Sequence, residues 1–383
     1  MDVHFKAIYT LTLKDGLGKG DLCGVTAAHQ FLHERTKGQA AGFVEQSDGR
    51  VMNIETVPAK PHERLAEALS EPLARVDALI RERMASQHAP RIPEVTDHLI
   101  GAGGKRIRPM LTLAAARLCG YEGPHDVRLA ATVEFIHTAT LLHDDVVDES
   151  QRRRGRPTAN LLWDNKSSVL VGDYLFARSF QLMVETGSLR VLDILANASA
   201  TIAEGEVLQL SASRDLRTGP QTYLQIVRGK TAALFSAATE AGGVIAGASE
   251  EHVASLHVYG DALGIAFQMV DDLLDWMGGE ATGKNVGDDF RERKLTLPLI
   301  HAIAAADEQE RAFWVRTIEK GRQQEGDLEI ARELLQRHGA LERTRQEALD
   351  WSARAQAALR KLPDAPLRDM LQDLADFVVS RVS

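Results

Sequence analysis

A short acidic pattern that occurs twice constrains this chain of 383 residues more than any other feature. The sequence Asp-Asp-x-x-Asp spans Asp144–Asp148 (the first motif) and Asp271–Asp275 (the second motif), and each copy ends a strongly apolar stretch. On an α-helix, the first and last carboxylates of such a motif lie one turn apart on the same side, where like charges destabilise the helix. A single acidic cluster is usually a solvated helix face, but two identical copies predict a bound cation.

Magnesium is the cation that this pattern predicts. Mg²⁺ prefers oxygen ligands and commonly takes only one or two carboxylates, because water and substrate phosphates complete its octahedron. The second aspartate of each motif points roughly 100° away from the first on a helix, so these two residues are expected to act through water. We assign metal binding to six carboxylates, directly or through water: Asp144, Asp145, Asp148, Asp271, Asp272 and Asp275.

The composition and the proline spacing predict an all-α fold. Aromatic residues make up only 5% of the chain and alanine is abundant, which favours closely packed helices over a β-sandwich. Between Pro124 and Pro298 only Pro157 and Pro220 interrupt the chain, and no alternating strand pattern occurs. We therefore expect a single large helical bundle around a central cavity. The expected helices cover residues 125–149, 159–185, 190–212, 220–243, 250–277, 291–305, 308–321, 326–337, 339–361 and 365–382.

The N-terminal region differs from the rest of the sequence. Residues 1–51 contain several glycines and no clear helical period, and Met52 would be a natural start. We interpret residues 1–51 as an extension, disordered or a mis-assigned start, without a catalytic role. Residues 52–383, without a low-complexity linker, are expected to form one domain.

Charge and cysteine content limit the partners and the compartment. A formal net charge of −9 argues against nucleic acid as the main partner. Basic residues cluster instead at Lys105–Arg108 and Arg152–Arg156, which indicates a phosphorylated ligand. Only Cys23 and Cys119 are present, too few for a disulfide framework. Because no apolar run reaches the ~20 residues of a membrane span and no secretory signal is evident, we expect a cytoplasmic protein.

The two motifs belong to a longer series of short patterns in a fixed order. The others are Gly103–Pro109, Glu134–His137, Arg153–Gly155, Gly229–Thr231, Phe267–Gln268 and Gly283–Asn285. In this order, from about Leu65 to the C-terminus, the sequence resembles the trans-isoprenyl diphosphate synthases, or polyprenyl synthetases. The closest likeness is to the long-chain octaprenyl, solanesyl and decaprenyl type.

The resemblance implies a prenyltransferase. In the family reaction the carbon–oxygen bond of an allylic diphosphate ionises, the double bond of isopentenyl diphosphate attacks the cation, and a proton is lost. Mg²⁺ held by two facing sets of carboxylates stabilises the negative charge on the leaving diphosphate. The resemblance also implies farnesyl diphosphate as the primer, a homodimer, transient membrane contact when the product is released, and supply of ubiquinone side chains.

The resemblance further implies two sets of cations, one for each diphosphate. The allylic diphosphate is bound by Lys230, Lys284 and Arg153. The diphosphate of isopentenyl diphosphate is bound by Lys105, Arg108, His137 and Arg154. Arginine suits bidentate recognition of phosphate, whereas lysine acts as a point charge. A lone cation is more often a solvated surface side chain, so each assignment depends on its motif.

Two polar residues complete the implied catalytic set. With Lys230, Thr231 and Gln268 are placed by the resemblance near the reacting carbons. There, polar oxygens would stabilise the allylic cation or guide the departing proton. Phe267 would contribute the face of its ring, or would simply belong to the core.

Product length is the one aspect of specificity that the sequence addresses. In this family the growing chain runs along the helix of the first motif, and short-chain members carry an aromatic plug near the fifth position before the motif. Here the residues are Ala139 and Thr140. Because small side chains leave that space open, we expect a product of about eight to ten isoprene units, C40–C50. Phe135 and Ile136 lie deeper and would form either a floor or part of the core.

Three alternatives stay open at this point. A terpene cyclase would lack the second Asp-Asp-x-x-Asp motif and the Gly-Gly-Lys-Arg cluster. A non-catalytic subunit of a heteromeric synthase would lose aspartates from its motifs, and a short-chain farnesyl or geranylgeranyl diphosphate synthase would share both motifs. The sequence also departs from the family at Arg293, where a glycine often precedes the lysine, and this puts only the flexibility of that loop in question.

Overall fold

The computed structural model describes residues 59–382 except 102, 154 and 279–285, together with the backbone of two short strands. These strands, β1 (Phe43–Glu45) and β2 (Val51–Asn53), pair in antiparallel fashion. They lie in the first of the two units into which the chain divides, residues 1–58 and 59–383. The interpretation of residues 1–51 as an extension otherwise falls outside the described residues, as do the assignments of Arg154 and Lys284.

The second unit is built almost entirely of helices, which confirms the predicted all-α class. Its first half contains α1 (Pro61–Ala68), α2 (Ser70–Met84), α3 (Arg91–Gly101), α4 (Ile107–Leu118), α5 (His125–Val147), α6 (Ala159–Leu162), α7 (Asn165–Val184) and α8 (Leu189–Ala212). A two-residue hairpin, β3 (Arg152–Arg153) with β4 (Arg156–Pro157), connects α5 to α6.

The second half continues in the same manner. It contains α9 (Pro220–Val227), a π-helical turn (Arg228–Ala232), α10 (Ala233–Ile245), α11 (Glu250–Met277), α12 (Asp288–Arg291), α13 (Leu297–Ala305), α14 (Glu308–Trp314), a second π-helical turn (Val315–Glu319), α15 (Asp327–Arg337), α16 (Ala340–Leu359) and α17 (Pro366–Ser380).

Two predicted helices are interrupted, and both breaks have local causes. The expected helix 159–185 is divided between α6 and α7 because the Asp164 carboxylate accepts a hydrogen bond from the Ser167 backbone N–H and starts a new helix. The expected helix 291–305 begins only at Leu297, and Pro298 lies in its first turn. Proline is tolerated there because N–H groups of the first turn have no hydrogen-bond partner within the helix. The expected helices 220–243 and 308–321 each contain a π-helical turn, at Arg228–Ala232 and Val315–Glu319. The remaining long helices agree with the prediction to within a few residues at each end.

Helix α11 lies at the centre of the bundle. It packs against α10 on one side and α16 on the other, while α5 packs against α7. A Cβ atom at Gly264 would lie 2.6 Å from the Cα of Ala232, so the glycine permits the close approach of α11 to the first π-helical turn. By length and composition α11 resembles a membrane span, and 67% of its apolar window is buried inside the protein. The end of this core helix carries the second motif.

Candidate active site

Both aspartate motifs face one cavity of ≈ 350 Å³. The first motif lies at the C-terminal end of α5, and the second lies at the C-terminal end of α11. Residues from α4, α8, α9, the first π-helical turn and the segment 289–296 complete the walls. Two stretches that are far apart in the sequence therefore share one hollow, as the repeated pattern predicted.

The cavity gathers most of the residues that the sequence singled out. Its lining includes Arg108, His137, Thr140, Asp144, Asp148, Arg153, Lys230, Thr231, Gln268, Asp271, Asp272 and Asp275. Three other predicted residues lie outside the lining: Lys105, Ala139 and Asp145. Their assigned roles stay predictions.

The first motif is held by ion pairs. Asp145 is fully buried and accepts from the Arg153 guanidinium, with Nε and Nη2 at 3.0 and 2.8 Å from its Oδ1. Asp148 accepts from the ammonium of Lys294 at 3.0 Å. Asp144 lines the cavity. Asp145 does not line it, which agrees with the expectation that the second aspartate does not face the same way as the first. The same expectation is wrong for Asp272, which lines the cavity together with Asp271.

Hydroxyl, amide and backbone N–H donors contact the second motif. Asp272 is 3% exposed and accepts from the Tyr223 hydroxyl at 2.6 Å and from Gln268 Nε2 at 2.8 Å. Asp275 accepts from the backbone N–H groups of Asp288 and Asp289 at 3.1 and 3.3 Å. These bonds tie the segment that follows α11 to the motif itself.

Burial leaves negative charge at the cavity incompletely compensated. It raises the pKa of Asp144 from 3.8 to about 6, against the opposing effect of nearby Lys230. It also raises the pKa of Asp272 to about 7, although Tyr223 and Gln268 oppose the rise. The pKa of Asp289 is raised by burial and then by the neighbouring carboxylates of the second motif. A bound cation would lower all three values, so the charge of the site suits one.

The described carboxylates at the cavity do not form a preformed cluster. Within the part of the chain that the structure describes, no three His, Cys, Asp or Glu side chains converge into a preformed metal site. Mg²⁺ does not need such a cluster, because it binds through one or two carboxylates together with phosphate oxygens. Asp144 and Asp148 from the first motif and Asp271 and Asp275 from the second all line the cavity, which brings carboxylates of both motifs to one site.

A π-helical turn presents two neighbouring residues to the cavity. Lys230 and Thr231 are consecutive and both line it. Such wide turns often occur at functional sites. The turn crosses α8 so closely that a Cβ on Gly229 would lie 2.7 Å from the Cα of Gly205. The glycine at each position therefore allows the approach that brings Lys230 Nζ within 3.0 Å of Glu206 Oε2 on α8.

The cations assigned to isopentenyl diphosphate occupy two places. Arg108 and His137 line the cavity together, with Arg108 Nη1 3.2 Å from His137 Nε2. The Arg108 guanidinium also lies 4.6 Å from the centre of the Phe235 ring. Lys105 lies apart, near the C-terminal helix, and partial burial together with the positive charges of Arg381 and Lys60 lowers its pKa.

The residues assigned to chain length face different surroundings. Ala139 is fully buried in the main apolar core, as is Phe135. Thr140 lines the cavity and donates from its hydroxyl to the His137 carbonyl at 2.8 Å. Ile136 lies in a second apolar cluster. The helix of the first motif thus carries two small side chains, Ala139 and Thr140, shortly before its aspartates.

Four residues at the site were not assigned a role from the sequence. They are Glu206, Tyr223, Asp289 and Lys294, and each contacts a predicted site residue through tertiary structure. Burial opposes the charged form of Lys294, but the carboxylates of Asp148 and Glu292 raise its pKa overall. The family pattern before Thr-Leu-Pro was the one signal that pointed to Lys294. The other three carry no local pattern of their own.

The loop before Lys294 has a glycine-like backbone. Arg293 has φ = 61°, in the left-handed region. This conformation costs a residue with a side chain about 1–2 kcal/mol, which explains why glycine is frequent here in the family pattern. The Arg293 guanidinium packs so close to Gly321 that a Cβ there would lie 2.3 Å from it.

Comparisons with known proteins identify similar chains. The family description "Polyprenyl synthetase" matches residues 89–335. Octaprenyl diphosphate synthase from Escherichia coli (strain K12) is 47% identical over 321 residues, which are 83% of this chain and 98% of that protein.

Solved structures show the same likeness. The crystal structure of a decaprenyl diphosphate synthase from Rhodobacter capsulatus is 72% identical, with a TM-score of 0.82, and the match covers 84% of this chain and 100% of that one. A polyprenyl synthase from Caulobacter crescentus CB15, complexed with calcium and isoprenyl diphosphate, is 52% identical, with a TM-score of 0.81 over 85% of this chain and 100% of that one. These similarities confirm the resemblance that the ordered motifs predicted.

Proposed function

The chain belongs to the polyprenyl synthetase family of prenyltransferases, and from that premise we propose that it is a long-chain all-trans polyprenyl diphosphate synthase. It adds isopentenyl diphosphate successively to an allylic diphosphate, with farnesyl diphosphate as the proposed primer. The product is about eight to ten isoprene units long, because the residues five and four positions before the first motif, Ala139 and Thr140, are small. The observation that carries this proposal is that both aspartate motifs, with Lys230 and Arg153, face one cavity.

Mg²⁺ is the proposed cofactor. The carboxylates that would hold it are Asp144, Asp148, Asp271 and Asp275, with Asp145 and Asp272 supporting them. The raised pKa of Asp144 fits this role, because an incompletely compensated carboxylate is stabilised by a cation. When bound, Mg²⁺ stabilises the negative charge that develops on the leaving diphosphate. The related Caulobacter protein, whose structure contains calcium and isoprenyl diphosphate, supports a site for a divalent cation with this ligand.

The chain's own cations bind and orient the two diphosphates. Lys230 is paired with Glu206, and Lys294 with Asp148, so each ammonium is already held at the edge of the cavity. A diphosphate would compete with these carboxylates for both lysines. Arg108 and His137 lie together on another wall, where they are placed to bind the second diphosphate. The separation of the two sets keeps an allylic primer distinct from isopentenyl diphosphate.

Product sizing tests the function directly. We would incubate the purified protein with farnesyl diphosphate, labelled isopentenyl diphosphate and Mg²⁺, remove the phosphates and measure the chain length by reversed-phase chromatography. We expect products of about C40–C50. Products no longer than C20 would identify a short-chain synthase, and the absence of any product would indicate a non-catalytic subunit. Asp271→Asn serves as the inactive control for background enzymes.

We propose a homodimer, for which an exposed apolar face provides support. On α7, Leu170 and Val184 are 66% and 67% exposed, and Phe180 between them is 43% exposed. Leu161 on α6 and Leu189 at the start of α8 extend this face. Large exposed apolar surface often marks an interaction site. Two copies of the chain meeting through this face would remove it from water.

The mass in solution tests the dimer. Light scattering on the wild-type protein should give twice the chain mass, and the double variant Leu170→Glu with Val184→Glu should give a single chain mass. Val258→Glu is a matched control, because Val258 is 48% exposed on α11, away from this face. A wild-type monomer would contradict the proposal.

The setting of the reaction is also proposed. The protein acts in the cytoplasm, touches membranes transiently when it releases its apolar product, and supplies side chains for ubiquinone. Product length supports this, since a C40–C50 chain partitions into lipid at about 0.8 kcal/mol per buried CH₂. Loss of the gene should deplete long-chain quinone and leave other isoprenoids in place.

A further inference from the structure

A continuous chain of hydrogen bonds runs from the second motif to the reacting end of the cavity. Tyr223 on α9 donates from its hydroxyl to Asp272 Oδ2 at 2.6 Å. The other oxygen, Oδ1, accepts from Gln268 Nε2 at 2.8 Å. Gln268 Oε1 in turn accepts from the hydroxyl of Thr231 at 2.8 Å. All four side chains line the cavity.

The chemistry of the partners determines the direction of each of these hydrogen bonds once Asp272 is ionised, the form that a bound cation favours. An ionised carboxylate only accepts, so the phenol and the amide nitrogen both donate to Asp272. The amide oxygen of Gln268 then faces Thr231. Because an amide oxygen also only accepts, the hydroxyl hydrogen of Thr231 is committed to it. Thr231 is therefore left with only its oxygen lone pairs to offer to the cavity.

The orientation of this hydroxyl matters for the reaction. A lone pair stabilises positive charge on a nearby carbon or accepts a departing proton, whereas a hydroxyl hydrogen pointing the same way would destabilise the cation. Without the chain, the Thr231 hydroxyl would rotate freely or donate to a carbonyl one turn earlier in its helix. The series of hydrogen bonds keeps the lone pairs of the Thr231 hydroxyl turned toward the cavity before substrate binds.

Resting on the proposed function, we infer that Tyr223 is a positioning residue that acts through Asp272 and Gln268 to keep the Thr231 oxygen turned toward the allylic cation. Tyr223 does not touch the reacting atoms in this role. Its ring is 4% exposed and is packed in the main core, so the hydroxyl is placed by the fold and not by the ligand. The orientations of Asp272, Gln268 and Thr231 in this series of hydrogen bonds depend on the Tyr223 hydroxyl.

Tyr223→Phe tests the inference, because it removes only the hydroxyl. We expect kcat to fall by about 10- to 100-fold, the range for losing a hydrogen bond to a charged partner. KM for isopentenyl diphosphate should stay within about twofold, since no group that binds diphosphate changes. Binding of farnesyl diphosphate with Mg²⁺, measured by calorimetry, should likewise be unchanged.

A matched control separates positioning from stability. Tyr259 on the same bundle is also fully buried, and its hydroxyl donates to the Leu371 carbonyl at 2.9 Å, outside the cavity lining. Tyr259→Phe loses a buried hydrogen bond but leaves the hydrogen bonds from Tyr223 to Thr231 intact. It should lower the thermal midpoint at least as much as Tyr223→Phe and leave kcat unchanged. An equal loss of kcat in both variants would reduce Tyr223 to a structural residue and overturn the inference.

A double variant tests whether Tyr223 acts through Thr231. In the Thr231→Val background, adding Tyr223→Phe should lower kcat by less than about threefold, because the first change already removes the oxygen that Tyr223 is inferred to orient. Fully additive losses would show that Tyr223 acts by another route and would overturn the inference. If the wild-type protein makes no polyprenyl product, the proposed function fails and this inference with it. An active wild type with an unaffected Tyr223→Phe variant refutes the positioning role alone.

Discussion

The two aspartate motifs have the same sequence pattern, but the donors that the structure describes around them differ. In the first motif, Arg153 donates to Asp145 and Lys294 donates to Asp148. In the second motif, the described donors to Asp272 and Asp275 include a phenol, an amide and two backbone N–H groups. A diphosphate binds arginine and lysine more strongly than it binds a phenol or a backbone amide, because the charges are opposite. An incoming diphosphate would therefore compete directly for Arg153 and Lys294 at the first motif.

The largest effect should follow from neutralising either motif. Asp144→Asn and Asp271→Asn should each lower kcat by about 100- to 1000-fold, because each removes charge that the developing transition state requires. If both motifs hold cations, raising the Mg²⁺ concentration should recover part of the lost rate in each variant. Steady-state kinetics over a Mg²⁺ series would measure this. A variant with near wild-type kcat would exclude its motif from metal binding.

Product length should distinguish the two helices that carry the motifs. Ala139 lies five residues before the first motif and Ala266 five residues before the second, and both are fully buried. We expect Ala139→Tyr to shorten the product to a few isoprene units, since the resemblance implies that the growing chain follows the helix of the first motif. Ala266→Tyr should destabilise the protein by about 1–3 kcal/mol through overpacking and leave product length unchanged.

The two outcomes are read by reversed-phase sizing and thermal unfolding of the same samples. If both substitutions shortened the product equally, the growing prenyl chain would lie between α5 and α11. Unchanged product length in a folded Ala139→Tyr protein would show that the assignment of the tunnel is wrong.

Stability in the absence of metal should also differ between the motifs. The pKa of folded Asp144, about 6, lies above its ordinary value of 3.8, so the folded state binds a proton more tightly than the unfolded chain does. Stability therefore falls as the pH rises from about 4 to 6 and stays lowered above that range. Asp144→Asn removes this effect and should stabilise the metal-free protein by about 1–2 kcal/mol at pH 8.

Asp272→Asn provides the contrast. Although burial also raises the pKa of Asp272, its two oxygens accept from Tyr223 and Gln268, and an amide nitrogen in place of one oxygen would face a donor. We expect no gain in stability at pH 8. Urea unfolding in a chelator at pH 4 and pH 8 measures both variants, and equal gains at pH 8 would contradict the difference between the motifs.

The smallest effect concerns the segment that joins the motifs. Residues 288–294 bond to Asp275 at one end and to Asp148 at the other, and Arg293 within it has a positive φ. Arg293→Gly should relieve the backbone strain and stabilise the protein by about 0.5–1 kcal/mol, after the larger entropy of the unfolded glycine is included. Chemical denaturation provides the measurement. Destabilisation would mean that the contact of Arg293 with Gly321 outweighs the strain.

The sequence predicted the fold wherever the physical cause was local. Helical periodicity and the scarcity of proline located the long helices to within a few residues, and the i, i+4 spacing of carboxylates oriented both motifs on their helices. The interruption at Asp164 and the late start of α13 were missed because a single capping residue or a helix-starting proline decides each boundary.

The candidate site shows where local reasoning ends. The order of the motifs was sufficient to identify the family and half of the residues that line the cavity. Glu206 and Tyr223 carry no signal in their own segments, because their importance comes from what they contact on α11 and on the π-helical turn. Lys294 likewise gains its role only through Asp148, which is far away in the sequence.

By itself, the amino-acid sequence determined that the chain forms long helices, that two of them end in paired carboxylates, and that the chemistry involves diphosphates. These features depend on interactions between near neighbours along the chain. The tertiary structure alone decided which described donors face each motif, namely Arg153 and Lys294 at the first and Tyr223, Gln268 and two backbone N–H groups at the second. That difference depends on which distant side chains are packed beside each motif, and identical short sequences acquire different properties when the surrounding burial and hydrogen bonds differ.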